Sequence, residues 1–234
     1  MTVIRTVAST RSTNEDMLGL AAQGEPEGVW LRAVEQTAGR GRQGRAWLSA
    51  PGNLFTSTII RLRPGDPTAA TLGFVAAIAL AEVVSLWTGR APLTVKWPND
   101  VMIDGAKLSG ILLERSGDAV ILGIGVNLVT AVDISDRAIA SLAPYGAPDA
   151  ALFLEELAAA FARWLGRWRG EGLGPIRARW LEWAHPKGTA LVANLPDGES
   201  VPGLFDGLDG DGALILRLAD GTSRVIHAAD IFLI

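Results

Sequence analysis

Three glycines and three arginines interleave in the segment Gly39-Arg40-Gly41-Arg42-Gln43-Gly44-Arg45. Glycine lets backbone N–H groups come close to an oxyanion and take up positive φ. Each guanidinium adds a planar, permanently charged fork for phosphate or carboxylate oxygens. The segment reads as an anion cradle, and equally as a solvated basic loop of the kind that contacts RNA. It is not a P-loop, because the Gly-Lys-Ser/Thr ending is missing. Nor is it a dinucleotide-binding glycine pattern, since arginines would crowd the turn and no capped helix follows.

Four further stretches carry polar groups at suggestive spacings. In Lys96-Trp97-Pro98-Asn99-Asp100 a lysine ends a strand and a turn supplies an amide and a carboxylate, so three polar groups could meet at one rim. The plainer reading is a core tryptophan followed by an ordinary turn. Lys107 opens the strand Leu108–Glu114, where alternation puts Lys107, Ser109, Ile111 and Leu113 on one face. A lysine on such a face is a solvated rim residue or a functional one. Gly123 and Gly125 punctuate a strand that should be buried, which a ligand lying on the strand would explain, and so would a bulge. Ser12-Thr13-Asn14 offers two hydroxyls and an amide, or simply the cap of a helix. His185 and His227 stand apart, with no metal-ligand spacing around them.

The elements that would hold these groups can be read from periodicity and breakers. A short helix is expected over 12–22, then a strand at Val29–Val34 and a long glycine-rich loop over 36–53. A strand follows at Leu54–Leu62. Asp66-Pro67 reads as a helix start, and the helix runs to Thr88, stopped by Gly89 and apolar nearly all round. Its polar interruptions leave the stretch short of a membrane span. Leu93–Trp97, Val101–Ile103, Lys107–Glu114 and Ala119–Leu128 read as strands, the middle two joined by a hairpin at Asp104-Gly105. Asp149 caps a helix to about Trp168, and Ile176–Trp183 is a shorter one. Beyond Pro186, short β-like runs alternate with Asp197-Gly198, Asp211-Gly212 and Asp220-Gly221, marking a small all-β unit. The fold class is therefore α+β. A catalytic domain is expected over 1–185 and a small β domain over 186–234.

Composition narrows the options. The 234 residues are 49% hydrophobic and 20% charged, as in an ordinary globular protein, with a formal net charge of −4. Such a chain exerts no general pull on nucleic acid. With no cysteine it has no disulfide, thiolate metal site or cysteine nucleophile. The N-terminus lacks a signal-peptide core, so the expected location is the cytoplasm, with no membrane partner.

Taken together and in order, these segments resemble the biotin–protein ligases. The resemblance rests on Ser12-Thr13-Asn14; on Gln36 leading into Gly39–Arg45 and Ala46-Trp47; on Lys96–Asp100; on Lys107-Leu108-Ser109-Gly110-Ile111-Leu112-Leu113-Glu114; and on Gly125-Val126-Asn127-Leu128. Any one of these is weak, whereas five in order are specific. The match is close over about residues 8–130 and general beyond. It implies a central mixed sheet with helices, similar to class II synthetases, plus a C-terminal SH3-like β-barrel. It implies a ligase that activates biotin with ATP and Mg²⁺ and passes it to a lysine of a biotin carboxyl carrier domain. Biotin would be held by Ser12, Thr13, Asn14, Gln36, Arg40, Gly41, Arg42, Lys107, Gly110 and Gly125. ATP and the adenylate would meet Arg42, Arg45, Trp47, Lys96, Asn99 and Asn127. Arg42 and Lys107 would be catalytic, and Asp100 is carried over toward Mg²⁺. Relatives often have arginine where this chain has Gln43. Some also carry a preceding DNA-binding domain, for which the dozen residues before Ser12 leave no room, so no repressor function is expected. A homodimer is left open. The alternative within the fold is a lipoate or octanoate ligase or transferase. The alternative outside it is an RNA-binding module, which leaves Lys96–Asp100, Lys107 and Gly125–Asn127 unexplained.

Overall fold

The structure, a computed structural model, describes residues 2–89, 91–131 and 138–233. Met1 and Ile234, the outer bounds of the two expected domains, lie outside the described residues. A seven-stranded sheet organises most of the chain, in the order β1-β2-β3-β7-β6-β5-β4. Its strands are β1 (Val3–Thr10), β2 (Val29–Gln36), β3 (Leu54–Arg61), β4 (Leu93–Lys96), β5 (Asp100–Ile103), β6 (Ala106–Ser116) and β7 (Ala119–Val126). β1 and β2 pair in parallel and the remaining pairs are antiparallel, so the sheet is mixed. β1 has no counterpart in the sequence reading. It is an edge strand exposed along most of its length, so it shows no apolar alternation to read.

The helices divide between the two faces. α1 (Thr13–Ala22) lies on one, where Met17 and Ala21 pack with Leu31, Ile59 and Ile121. α2 (Leu72–Thr88), α3 (Ala150–Glu171) and α4 (Leu173–Trp183) cover the other. α2 is apolar all round because it is enclosed between the sheet and α3 and α4. Contrary to the sequence reading, residues 69–88 are long and apolar enough to cross a bilayer, but here they form the core. α2 also begins later than Asp66-Pro67 suggested. Asp66 caps no helix; its Oδ2 accepts from the Arg63 backbone and from Arg169 Nε. Asp149 does cap α3, accepting from Ala151 N and Leu152 N. The hairpin at Asp104-Gly105 forms with both residues at positive φ, 50° and 76°.

One expected face is wrong. Val101 pairs with Ser109, yet Met102 pairs with Lys107, so a β-bulge interrupts β6 at Leu108. The bulge shifts the alternation and turns Lys107 to the side of Gly110. Its Nζ lies 3.3 Å from where a Cβ on Gly110 would stand.

The C-terminal strands β8 (Ala190–Asn194), β9 (Ser200–Leu208), β10 (Leu214–Arg217), β11 (Ser223–Ile226) and β12 (Asp230–Leu233) form an antiparallel sheet ordered β11-β10-β9-β8-β12. The three Asp-Gly pairs turn where expected, each glycine at positive φ. The sheet does not close into the expected barrel. Among the described residues β12 pairs with β8 alone, and the Ile231 carbonyl accepts from Lys96 Nζ of the larger sheet at 3.1 Å.

Candidate active site

A cavity of about 530 Å³ opens on the α1 face of the large sheet. All the site residues expected from the sequence line it: Ser12, Thr13, Asn14, Gln36, Arg40, Gly41, Arg42, Arg45, Trp47, Lys96, Asn99, Asp100, Lys107, Gly110, Gly125 and Asn127. They come from loops and strand ends on six sides, converging because β2, β3, β7, β6 and β5 lie side by side.

The floor is polar. Ser12 stands at the N-cap of α1 in an extended conformation, but its hydroxyl makes no cap bond. The Thr13 backbone N–H donates to Gln36 Oε1 at 2.8 Å, and the Thr13 hydroxyl lies 3.1 Å from the same oxygen. Asn14 is buried between Ser57 Oγ at 2.6 Å and Glu114 Oε2 at 2.7 Å. The sequence reading did not single out Ser57, and it quoted Glu114 only as the end of a motif, with no role. Each looks like an ordinary strand residue until β3, β6 and α1 are brought together.

The two glycines of β7 make room for the protein's own side chains. A Cβ on Gly125 would sit 2.4 Å from Trp47 Cε2, and one on Gly123 would sit 2.2 Å from Asn14 Oδ1. Gly110, opposite Gly125 in the register, abuts the same indole. Trp47 therefore lies flat across two glycines, 5.7 Å below the Lys107 ammonium. Its Nε1 is buried and has no hydrogen-bond partner.

The arginine loop is a short finger rather than a loose arm. Trp47 N donates to Gly39 O and Gly41 N to Arg45 O, with a tight turn at Gln43 (φ 56°) and Gly44 (φ 72°). Gly39 is needed at the base, where a Cβ would meet the Trp47 carbonyl at 2.6 Å. The finger's charges are matched at both ends. Arg40 pairs with Glu15 of α1 at 3.6 Å, and Arg45 pairs closely with Asp230 of β12. Arg42 reaches Asn99 Oδ1 at 3.3 Å, the Ala229 carbonyl at 3.5 Å and Asp230 at 4.0 Å. Asp230 and Ile231 thus bring the C-terminal sheet into the cavity wall. No sequence signal marks them, since the contact joins segments 185 residues apart.

At the rim, Asp100 is buried between two ammonium groups, Lys107 Nζ at 2.6 Å and Lys96 Nζ at 3.7 Å. A buried carboxylate needs such pairing. This occupies the group carried over toward Mg²⁺. Among the described residues no three Asp, Glu, His or Cys side chains gather to hold a metal; Mg²⁺ commonly takes only one or two carboxylates plus substrate phosphates, and Asp100 is the carboxylate available at this rim. Trp97 is core, and its Nε1 donates to Gly212 O in the C-terminal sheet. Asn99 Nδ2 donates to Ile111 O at 2.6 Å. Asn127 lines the cavity with its amide engaged by Asn53 and by Ala140 O. Burial, and then the nearby Lys96 charge, lower the pKa of His185, whose Nε2 is buried without a partner.

In chemical terms the cavity has a floor of hydroxyls and amides, a flat aromatic wall and a lid and rim of fixed cations. That suits a neutral polar ring at one end and a polyanion at the other. Known proteins agree with this reading. Residues 6–128 match the biotin/lipoate A/B protein ligase family and residues 193–234 the biotin protein ligase C terminal domain. The chain is 43% identical over 239 residues to the biotin–[acetyl-CoA-carboxylase] ligase of Paracoccus denitrificans, covering 97% of this chain and 98% of that protein. It is 36% identical to the ligase of the same name from Mycobacterium tuberculosis, over 96% and 86% of the two chains. The biotin protein ligase of Aquifex aeolicus, solved with biotin and ATP, superposes with a TM-score of 0.88 at 23% identity, each chain covered completely. With both the catalytic and the C-terminal segment matched, and near-full-length identity to named ligases, this chain belongs to the biotin–protein ligases of the biotin/lipoate A/B protein ligase family.

Proposed function

We propose that the chain joins biotin to ATP, releasing pyrophosphate, and then passes the biotinyl group from the adenylate to a carrier lysine, releasing AMP. One observation carries this: the polar floor and the cationic lid and rim face one another across a single cavity. The ureido ring of biotin suits Ser12, Thr13, Asn14 and Gln36. Its carboxylate and the α-phosphate then fall between Arg40, Arg42 and Lys107. Two anions must approach for the carboxylate oxygen to attack phosphorus, and fixed cations in a site closed to water lower that barrier. Asp100 orients Lys107 and Lys96 toward this point. Trp47, flat over Gly110 and Gly125, offers a face to the adenylate, with Arg45, Asn99 and Asn127 around it. The mixed anhydride is prone to hydrolysis, so a lid over it has a clear use. The carrier lysine attacks the acyl carbon as a neutral amine, and no protein nucleophile is needed. A divalent cation would enter with the phosphates of ATP, with Asp100 as the carboxylate within reach of it.

The protein partner in this reading is the biotin carboxyl carrier domain of a biotin-dependent carboxylase, and the reaction takes place in the cytoplasm. The catalytic unit is residues 1–185, and residues 186–234 complete its cavity through Asp230 and Ile231. Nucleic acid has no part in it, as the net charge of −4 offers no general attraction. The unpaired edge of β1 leaves a place for a second copy.

Mass spectrometry of the protein after incubation with biotin and MgATP tests the reading. Bound biotinyl-5′-AMP and biotin-dependent pyrophosphate exchange are expected. Equal or faster exchange with lipoate would overturn it.

A further inference from the structure

Asn14 is held from behind by two residues that do not line the cavity. Glu114 of β6 accepts from its Nδ2 at 2.7 Å, and Ser57 of β3 donates to its Oδ1 at 2.6 Å. An amide can be flipped by 180° at little intrinsic cost, so its partners decide which end points where. A carboxylate only accepts, and can therefore face only the NH₂ end. Glu114 thus turns Oδ1 toward Ser57. Ser57 has one proton, and giving it to Oδ1 leaves its lone pairs toward Thr13 Oγ1, 2.7 Å away. The Thr13 hydroxyl then donates to Ser57 or to Gln36 Oε1 and keeps its own lone pairs for an incoming N–H. Gln36 is set from the other side: its Oε1 takes the Thr13 backbone N–H, which turns Nε2 outward as a donor. The floor so ordered presents an acceptor beside a donor, the complement of the N–H and C=O of a cyclic urea.

We propose that Glu114 is a positioning residue that sets the donor–acceptor sense of this floor, and so selects a substrate with a ureido ring over one with an apolar ring. The inference rests on the biotin reading above. Among the described residues, other carboxylates near the cavity are paired with cations, Asp100 with lysines, Glu15 and Asp230 with arginines. Glu114 instead accepts from an amide, which fits a role in orientation rather than charge balance.

The test is steady-state kinetics of biotin-dependent pyrophosphate exchange in variants. Glu114→Leu, which frees the amide to flip, raises KM for biotin by roughly ten- to a hundredfold, with KM for ATP and kcat much less affected. Glu114→Gln keeps an accepting oxygen and retains most of the affinity. Asn14→Asp sets two carboxylates against each other and loses biotin binding. Adding Glu114→Gln to it restores an N–H donor between positions 114 and 14 and recovers at least a tenth of the wild-type affinity. That cycle keeps the proposal testable if Glu114→Leu does not fold. Equal effects on both KM values, or no recovery in the double variant, would sink the proposal while leaving the biotin reading intact. Absence of biotin-dependent exchange in the wild-type protein would sink the reading itself.

Discussion

Gly123 and Gly125 sit two residues apart on one face of β7, and each is shaped to a different side chain. This lets the two halves of the cavity be separated experimentally. Gly123→Ala pushes a methyl into Asn14, so biotin affinity should fall with little change toward ATP. Gly125→Ala pushes a methyl into the Trp47 ring, so ATP affinity should fall first, with a shift in tryptophan emission reporting the displaced indole. Each clash is under 2.5 Å and involves a packed group, so a loss of about tenfold or more is expected for the affected ligand. Calorimetric titration with biotin and with ATP checks both; an exchange of the two phenotypes would refute the placement. Lys107→Ala belongs to the same scale. Its ammonium lies between Asp100 and the Trp47 face, so it acts on the reacting anions more than on the ring. Biotin should still bind, and turnover should drop by about two to three orders of magnitude. Wild-type turnover in that variant would place the chemistry elsewhere.

Among elements, the tie between α3 and the sheet makes a measurable prediction. Both Glu27 oxygens receive Arg169 from the last turn of α3, at 2.6 and 2.7 Å, and the Arg61 backbone N–H adds a third bond at 2.8 Å. Burial alone would raise the Glu27 pKa, but these hydrogen bonds and the charges of Arg169 and Arg63 outweigh it and hold the carboxyl below its ordinary value. A depressed carboxylate stabilises the fold at pH above its unfolded value, near 4.3, and that stability is lost as pH falls through the lower folded value. Glu27→Gln should therefore cost about 1–3 kcal/mol at neutral pH, with the gap to wild type narrowing in acid. Urea unfolding at pH 7 and below pH 4 measures it, and a gap that stays constant or widens in acid would count against the assignment. This network was not legible from sequence, because Asp66 near Pro67 has every local mark of a helix cap. The Arg63 backbone N–H at 2.9 Å and the distant Arg169 at 3.5 Å take the same carboxylate oxygen, and the helix starts at Leu72 instead.

For the whole molecule, the question is how the C-terminal sheet and the catalytic sheet act together. Asp230 of β12 holds Arg45 and stands near Arg42, while Lys96 donates to the adjacent Ile231 carbonyl. The lid is therefore fastened to the C-terminal sheet, with a weaker exposed pair to Glu15 at its other end. Asp230→Asn should loosen that fastening. The adenylate would still form but escape early, so biotin labelling of a bystander protein should rise severalfold relative to labelling of the carrier. Unchanged bystander labelling alongside normal adenylate formation would show that the lid does not depend on β12.

The order and chemistry of the site segments were determined by sequence alone. Glycine between arginines, Asp-Gly turns and a helix apolar on all sides are local patterns with local causes, and they gave the elements; the family and the residues around the cavity came from the resemblance of five ordered motifs to the biotin–protein ligases. What only the tertiary structure decided was partnership and direction. A β-bulge at Leu108, invisible to alternation, turned Lys107 to the other face. β1 escaped notice because an exposed edge strand needs no apolar pattern. Ser57, Glu114 and Asp230 acquired their partners from strands and loops distant along the chain. Hydrogen bonds and ion pairs act over about 3–4 Å in space and carry no trace along the sequence, so such partners become visible only when the chain has folded.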